Sequence, residues 1–250
     1  MENNISNNTV SIIIQARIGS SRLPGKVLKE LCGKPVLWHV WNRLCRAKKV
    51  DDIIIATTVL PEDDSIQSFC EEYNIPFYRG SSNDVLSRYY EAAKKYDAKT
   101  IIRVTADCPV TDPVIIDHLI ASYKAEKVDY MSNGMTRTFP RGLDAEIFSF
   151  DILQRAHKEA SLEYEREHVT PYIYRHPEIF SLKNFLNTED LSFHRWTVDT
   201  EEDFELIKII YESLYHKKEI FLLDDILKLF SEKPNLIKIN QHIEQKKLGE

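Results

Sequence analysis

Apolar residues follow two alternating patterns along the first half of the chain. Short unbroken apolar runs are typical of strands that are buried on both faces of a sheet. These runs cover residues 10–17, 53–57, 75–78 and 100–105. Between them, apolar residues recur at helical spacing, as at Leu37, Val40 and Leu44. The alternation predicts an α/β, Rossmann-like fold with a mostly parallel sheet flanked by helices.

Short polar residues mark where several of the helices begin. Asn83, Asp112 and Thr200 each precede an apolar face of helical spacing. Their side chains are preferred helix caps, because they accept hydrogen bonds from the free backbone N–H groups of the first turn. Pro113 follows Asp112 and suits the first position of a helix. We therefore predict that helices begin directly after these three residues.

The second half of the chain predicts a mixed order of strands and helices. Predicted strands cover residues 128–132, 145–150, 182–186 and 193–198. Predicted helices include a charged, tyrosine-rich one at 161–176 and another at 222–230. The tyrosines at 164, 172 and 174 suit either a homodimer contact or the core.

The chain has no internal repeat and no linker rich in glycine, proline or serine. We therefore predict a single domain over residues 9–235, with an insertion-like segment near 134–192. A polar, disordered stretch is predicted at 1–8, and a loosely packed polar tail at 236–250.

Charge and composition narrow the function. The formal net charge of −6 argues against general nucleic-acid binding, which usually shows a basic excess. No apolar run approaches the roughly 18 residues that a membrane span needs, and the start of the chain lacks a signal-peptide pattern. The four cysteines show no zinc-ligand spacing, so we expect reduced thiols. These features favour a cytoplasmic protein that uses small-molecule ligands.

A basic loop directly follows the first predicted strand. Residues 15–28 read QARIGSSRLPGKVL and bring Arg17, Arg22 and Lys26 within ten positions. Gly19 and the glycine at 25 allow tight turns that present backbone N–H groups. The loop suits a triphosphate, although a solvated surface turn has the same composition. Its glycine spacing fits neither a Walker A loop nor a dinucleotide-binding loop.

Two aspartates stand at the ends of distant predicted strands. Asp107 follows the run at 100–105, and Asp199 follows the run at 193–198. Strand ends of this kind face the ligand crevice of an α/β sheet, where carboxylates commonly hold Mg²⁺ on phosphates. Asp199 could instead cap the next helix, although Thr200 is available for that role. Asp112 is more readily explained as a helix cap.

Five segments, in order over residues 10–205, resemble the nucleotidyltransferases that make CMP-sugars. They are QARIGSSRLPGKVL at 15–28, SNDVLSR at 82–88, RVTADCP at 103–109, FPRGLDAEIF at 139–148 and RWTVDTEED at 195–203. The family includes CMP-Kdo and CMP-sialic acid synthetases, and the most similar branch is that of the SpsF-type spore-coat polysaccharide proteins. The resemblance implies a glycosyltransferase-A-type nucleotidyltransferase fold, CTP as substrate and Mg²⁺ as cofactor.

The resemblance also implies roles for individual residues. Catalytic roles fall on Arg17, Lys26 and Asp107, and the metal on Asp107 and Asp199. Nucleotide contacts fall on Gln15, Ala16, Arg17, Gly19, Ser20, Arg22, Lys26, Asp84, Arg88, Arg103, Thr105 and Ala106. Arg88 could instead form a surface ion pair. CMP-sialic acid synthetases carry a second late aspartate where this chain has Glu201, so the number of bound metal ions, one or two, stays open.

The acceptor is expected to be a small acidic sugar or a phosphorylated compound. Cationic and polar side chains late in the chain suit its carboxylate or phosphate. We place it on Asn133, Arg141, Glu146, Arg166 and Arg195. Three other functions remain open: a glycosyltransferase on the same fold, a non-catalytic nucleotide-binding protein, and a transferase of ATP or GTP. A glycosyltransferase would need an Asp-x-Asp pair at the metal strand, and residues 107–109 read DCP.

Overall fold

The structure, a computed structural model, describes residues 9–245. Its strands are β1 (Val10–Gln15), β2 (Glu30–Leu31), β3 (Lys34–Pro35), β4 (Asp52–Thr58), β5 (Phe77–Gly80), β6 (Thr100–Thr105), β7 (Tyr130–Ser132), β8 (Glu146–Ser149) and β9 (Leu182–Asn184). Its α-helices are α1 (Val36–Leu44), α2 (Asp64–Glu72), α3 (Val85–Lys95), α4 (Pro113–Glu126), α5 (Phe150–Glu159), α6 (Glu163–His168), α7 (Pro171–Tyr174), α8 (Glu201–Leu214) and α9 (Leu223–Glu232). Short 3₁₀ helices cover Lys26–Leu28, Pro61–Asp63 and Pro234–Ile239.

Seven of these strands form the main sheet, in the order β5-β4-β1-β6-β8-β7-β9. The first four strands in that order pair in parallel. β8 runs antiparallel to both β6 and β7, and β9 pairs in parallel with β7. The predicted α/β fold with a mostly parallel, helix-flanked sheet is confirmed.

Alternating residues of the central strand separate two halves of the core. Ile12 and Ile14 of β1 pack into one apolar cluster with α1, α2 and α4, whereas Ile13 packs into another with α3 and α5. A third cluster forms around Trp196 and the inner faces of α8 and α9. Because β1 and β6 are buried on both faces, their carboxyl ends are held rigidly, and the basic loop begins there.

Helix starts match the sequence at two of the three predicted caps. Asp112 accepts from the N–H of Val114 at 2.8 Å and caps α4. Thr200 accepts from the N–H of Asp203 at 3.2 Å and caps α8. The prediction for Asn83 is wrong by one position, because Asp84 caps α3.

Two predicted elements of the second half are wrong. Residues 193–198 do not form a strand; the backbone there makes one isolated bridge, between Arg141 and Arg195. The helix predicted at 161–176 is two short helices, α6 and α7, separated at Val169, whose φ of 73° ends α6. Residues 194–198 are all buried by tertiary packing, so their composition imitates that of a strand.

The predicted loose tail is also wrong over its first part. Pro234–Ile239 forms a 3₁₀ helix with Leu236 buried, and Asn240 is buried beside Arg195 and Asp203. The disordered stretch predicted at 1–8 and the end of the tail at 246–250 lie outside the described residues. Within residues 9–245, every helix is too short or too polar to cross a membrane.

Gly142 allows the backbone at residues 141–142 to touch the backbone at residues 194–196. Trp196 N donates to Arg141 O at 2.7 Å, and Arg141 N donates to His194 O at 3.0 Å. A Cβ on Gly142 would lie 2.4 Å from the Trp196 carbonyl oxygen, and its φ of +101° disfavours any side chain. We therefore expect Gly142→Ala to lower the free energy of unfolding by about 2 kcal/mol or more, measured by urea denaturation.

Gly134→Ala is the matched control for this prediction. Its Cβ would approach no atom closer than 3.4 Å, and its φ lies outside the left-handed region. An unfolding free energy of Gly142→Ala equal to that of Gly134→Ala would contradict the close approach.

Candidate active site

A cavity of about 540 Å³ opens at the carboxyl ends of β1 and β6. The basic loop forms one wall, and the end of β6 with the segment before α8 forms another. Many predicted site residues share this cavity. They are Gln15, Ala16, Arg17, Gly19, Ser20, Arg22, Lys26, Arg88, Thr105, Ala106, Asp107, Arg141 and Asp199.

The basic loop is held by its own apolar residues and by its backbone. Leu23 and Val27 are buried, so the polar residues between and around them face the cavity. Ile18 N donates to the Asp63 carboxylate at 2.7 Å. Gly25 takes a left-handed conformation with φ 69° directly before the 3₁₀ turn that carries Lys26. The turn aims the Lys26 side chain at the carboxyl ends of the sheet.

Lys26 joins the two predicted metal ligands. Its Nζ lies 2.7 Å from an oxygen of Asp107 and 2.7 Å from an oxygen of Asp199. Thr105 donates to the other oxygen of Asp107 at 2.5 Å. Burial would raise the pKa of Asp107, but Lys26 and Thr105 outweigh it and lower that pKa to about 2. Burial would lower the pKa of Lys26, but the two carboxylates raise it. Lys26 and Asp107 are therefore both charged at neutral pH.

Asp199 is held by two arginines, one in the cavity wall and one buried behind it. Arg22 and Arg195 both contact its Oδ2, at 2.9 Å and 2.8 Å. Arg195 in turn donates to both oxygens of Asp203 at 2.9 Å. Asn240 donates to Asp203 at 2.8 Å and to the Arg195 carbonyl at 2.9 Å. This network orients the Asp199 carboxylate toward Lys26.

Asp107 and Asp199 suit a divalent cation by their chemistry and placement. Mg²⁺ prefers oxygen ligands and is commonly held by one or two carboxylates together with phosphate oxygens and water. Each aspartate already has an oxygen 2.7 Å from one shared cation, the Lys26 ammonium. Across the described residues, no group of three or more acidic, histidine or cysteine side chains could hold a metal ion. Phosphate and water oxygens would therefore have to complete the ligand set.

Gln15 lines the cavity and is hydrogen-bonded to a buried ion pair behind it. Arg103 on β6 contacts Glu146 on β8 at 2.7 Å and donates to the side-chain oxygen of Gln15 at 3.0 Å. Burial would lower the pKa of Arg103, but Glu146 raises it. Because a guanidinium only donates, Gln15 must turn its amide oxygen toward Arg103 and its amide N–H groups away from it. Arg103 and Glu146 are thus behind the cavity wall rather than in it.

Asp84 and Arg166 bind each other. Arg166 donates to one oxygen of Asp84 from Nε at 2.9 Å and from Nη2 at 2.6 Å. Asp84 also accepts from the Ser87 N–H at 2.9 Å, as the cap of α3. The pair ties α6 to α3, which places His168 of α6 at the cavity wall. Both residues support the site from outside the residues that line it.

Arg88 is buried, so the surface ion pair considered from the sequence is wrong. Only 2% of the residue is exposed, and its Nη1 donates to the Ser81 carbonyl at 2.6 Å. Burial lowers its pKa. Its Nε has no hydrogen-bond partner among residues 9–245. A cation of this kind next to a cavity favours an anionic ligand.

Two predicted acceptor residues have other contacts. Asn133 is buried, donates to the Leu143 carbonyl at 2.7 Å and accepts from the Ala145 N–H at 2.9 Å. It fastens the loop that carries Arg141. The guanidinium of Arg195 is already paired with Asp199 and Asp203. Arg141, in contrast, lines the cavity itself.

Several cavity residues escaped the sequence-based assignment of the site. They are Ser21, Val27, Val85, Glu167 and Gln245. Ser21, Val27 and Val85 adjoin assigned residues and could have been included with them. His168, one of the late basic side chains that suit the acid group of the acceptor, also lines the cavity, whereas Gln245 had no signal in the sequence. Gln245 reaches the site because it accepts from Arg195 at 2.9 Å.

Comparison with known proteins agrees with this geometry. Residues 11–248 match the family model described as Cytidylyltransferase. The spore coat polysaccharide biosynthesis protein SpsF of Bacillus subtilis is 32% identical over 85% of this chain and 90% of its own length. A 3-deoxy-manno-octulosonate cytidylyltransferase of Hydrogenovibrio crunogenus is 34% identical over 55% of this chain and 56% of its own length.

A solved structure is similar over nearly the whole chain. A cytidylyltransferase from Leptospira borgpetersenii has a TM-score of 0.88 and 33% identity, covering 96% of this chain and 100% of that one. The predicted nucleotidyltransferase fold and the resemblance to CMP-sugar synthetases are both confirmed. The chain belongs to the cytidylyltransferase family and is a CTP-dependent nucleotidyltransferase.

Proposed function

We propose that this enzyme transfers CMP from CTP to a sugar acid or a sugar-like phosphate, with release of pyrophosphate, in surface glycan biosynthesis. The observation that carries the proposal is the meeting of the basic loop with Asp107 and Asp199 through Lys26, at 2.7 Å from each carboxylate. The names of two relatives, a polysaccharide biosynthesis protein and an octulosonate cytidylyltransferase, support the acceptor class.

The basic loop binds the triphosphate in this proposal. Arg17 and Arg22 line the cavity beside Ser20, which adds a hydroxyl donor. As the acceptor oxygen attacks the α-phosphorus in line, negative charge moves to the departing pyrophosphate. Arg17, Arg22 and Lys26 offset that charge from a loop whose backbone is already anchored. The protein contributes mainly position and charge.

Asp107 and Asp199 hold Mg²⁺ in this proposal. When bound, the metal supplies positive charge at the phosphate that is transferred. Thr105 fixes the orientation of Asp107, and Arg195 fixes that of Asp199. Lys26 lowers the pKa of Asp107, so this carboxylate keeps its charge at neutral pH, and Asp199 is paired with Arg22 and Lys26.

Arg141 is the residue best placed to bind the acid group of the acceptor. It lines the cavity, and its backbone is fixed against residues 194–196 by two hydrogen bonds. Burial and the nearby Arg137 lower its pKa, so an anion there is favourable. The predicted homodimer and the cytoplasmic location stay predictions.

The proposed reaction is tested by pyrophosphate release from CTP, ATP, GTP and UTP. Each nucleotide is supplied with Mg²⁺ and a panel of ulosonic acids, sugar phosphates and polyol phosphates. We expect release with CTP and an acidic acceptor, and none with the neutral parent sugar. Release from CTP with neutral sugars alone would overturn the acceptor class, and release from another nucleotide but not from CTP would overturn the donor.

Arg141→Met separates acceptor binding from nucleotide binding. We expect the KM for the acidic acceptor to rise about tenfold or more, because a hydrogen bond to a charged group is lost, while the KM for CTP stays within about twofold. Arg137→Met is the control, since Arg137 contacts Asp144 at 2.5 Å and lies outside the cavity lining. A change in the KM for CTP alone would assign Arg141 to the nucleotide.

A further inference from the structure

One cation lies between two carboxylates that come from opposite parts of the chain. The Nζ of Lys26 is 2.7 Å from Asp107 Oδ2 and 2.7 Å from Asp199 Oδ1, across sequence separations of 81 and 173 residues. The same two oxygens are the ones that a divalent cation would need. A Mg²⁺ ion holds its oxygen ligands at about 2.0–2.1 Å, so it would lie within a few ångströms of the ammonium. Two cations at that separation repel strongly in a partly buried site.

Lys26 is the partner that can leave. Arg195 is held on its other side by Asp203 at 2.9 Å and by Gln245 at 2.9 Å, so its position is fixed. Arg22 has an ion pair with Asp199, at 2.9 Å. Among residues 9–245, Lys26 is the one side chain with an ion pair to both carboxylates. Its four-carbon stem can swing while the 3₁₀ turn keeps its backbone in place.

We propose that Lys26 and the divalent cation are alternative occupants of one site between Asp107 and Asp199. The triphosphate competes for Lys26 with its own oxygens, because Lys26 lies in the basic loop that lines the same cavity. Moving Lys26 onto the phosphates opens both carboxylates to the metal. Nucleotide and metal therefore bind cooperatively, and each raises the affinity for the other by the same factor. This inference rests on the proposed function for the identity of the nucleotide and of the two metal ligands.

The test measures Mn²⁺ binding to the whole protein with no nucleotide and no acceptor. Electron paramagnetic resonance reports the free Mn²⁺ during a titration. Lys26→Met removes the competing charge and keeps a side chain of similar length, so we expect its Kd for Mn²⁺ to fall about tenfold or more below the native value. Lys26→Arg keeps a cation between the carboxylates, so its Kd should stay near the native one.

Lys29→Met is the matched control. Lys29 lies three positions further along the loop and pairs with the exposed Glu201 at 2.8 Å, so its loss should leave Mn²⁺ binding unchanged. Adding Asp107→Asn to Lys26→Met should abolish the gain. Lys26→Gln provides a second neutral variant, and circular dichroism checks the fold of each.

Equal Mn²⁺ affinity in the native protein and in both folded neutral variants would overturn the inference. A gain that survives in the Asp107→Asn double variant would overturn it as well, because the metal would then lie elsewhere. Neither result depends on turnover. If Lys26→Met gains Mn²⁺ affinity while the native protein never releases pyrophosphate from CTP with any acceptor, the proposed function is contradicted and this inference stands.

Discussion

Asp107→Asn lowers kcat by about 10²- to 10³-fold, which is the usual cost of removing one preorganised charge contact at a reacting group. The substitution keeps the shape of the side chain and its contact with Thr105. It removes the charge that pairs with Lys26 at 2.7 Å and that is proposed to hold Mg²⁺. The measurement is pyrophosphate release at saturating CTP, Mg²⁺ and acceptor.

Nucleotide binding distinguishes this loss from a general disruption of the site. With one negative charge fewer beside the triphosphate, the Kd for CTP measured by calorimetry without metal should stay the same or fall. Asp112→Asn is the control, because Asp112 caps α4 and asparagine caps a helix nearly as well. Near-normal Mg²⁺-dependent turnover in Asp107→Asn would contradict the assignment of Asp107.

The parallel half of the sheet could be predicted because its strands are buried on both faces. Such strands appear in the sequence as unbroken apolar runs, and the run predicted at 100–105 has the same bounds as β6. The basic loop and Asp107 directly follow two of these strands, so the position of the cavity could be predicted from the sequence alone. The basic loop and both aspartates meet there as the sequence implied.

The segment at 193–198 shows why the strands and helices in the second half of the chain were harder to predict from the sequence. Its residues His194 to Val198 are all buried, yet its backbone makes one isolated bridge rather than a ladder. Apolar composition reports burial, and burial here comes from packing under α8 and α9 instead of strand pairing. A local pattern cannot separate these two causes.

Three arginines that were predicted at the site but lie outside the cavity lining share one physical reason. Arg166 and Arg103 are each bound to a carboxylate that is distant in the sequence, and Arg195 is bound to the fully buried Asp203. A motif indicates which residues gather at a site, but the sequence does not state which of them face the ligand and which face each other. Ion pairs decide that, and they form only when the tertiary structure is complete.

Asp203→Asn lowers the free energy of unfolding by about 3 kcal/mol, at the lower end of the cost of breaking a buried ion pair. Asp203 is fully buried, and its carboxylate accepts two hydrogen bonds from the Arg195 guanidinium at 2.9 Å. It also accepts hydrogen bonds from the backbone N–H groups of Asp199 and Thr200 and from the side-chain amide of Asn240. An asparagine keeps the size but offers one acceptor oxygen and no charge. Arg195 retains Asp199, which is why the expected cost is not larger.

Thermal unfolding measures this effect against Glu202→Gln. For a chain of this size the loss corresponds to a fall in Tm of roughly 6–12 °C. Glu202 lies beside Asp203 in the first turn of α8 but is exposed, so its variant should unfold at the native temperature. Because Asp203 positions Arg195, and Arg195 contacts the Asp199 carboxylate, Asp203→Asn should also weaken turnover at temperatures where it is folded. A native Tm for Asp203→Asn would mean that Asp199 is a sufficient charge partner for Arg195, and that the ion pair between Arg195 and Asp203 adds no stability.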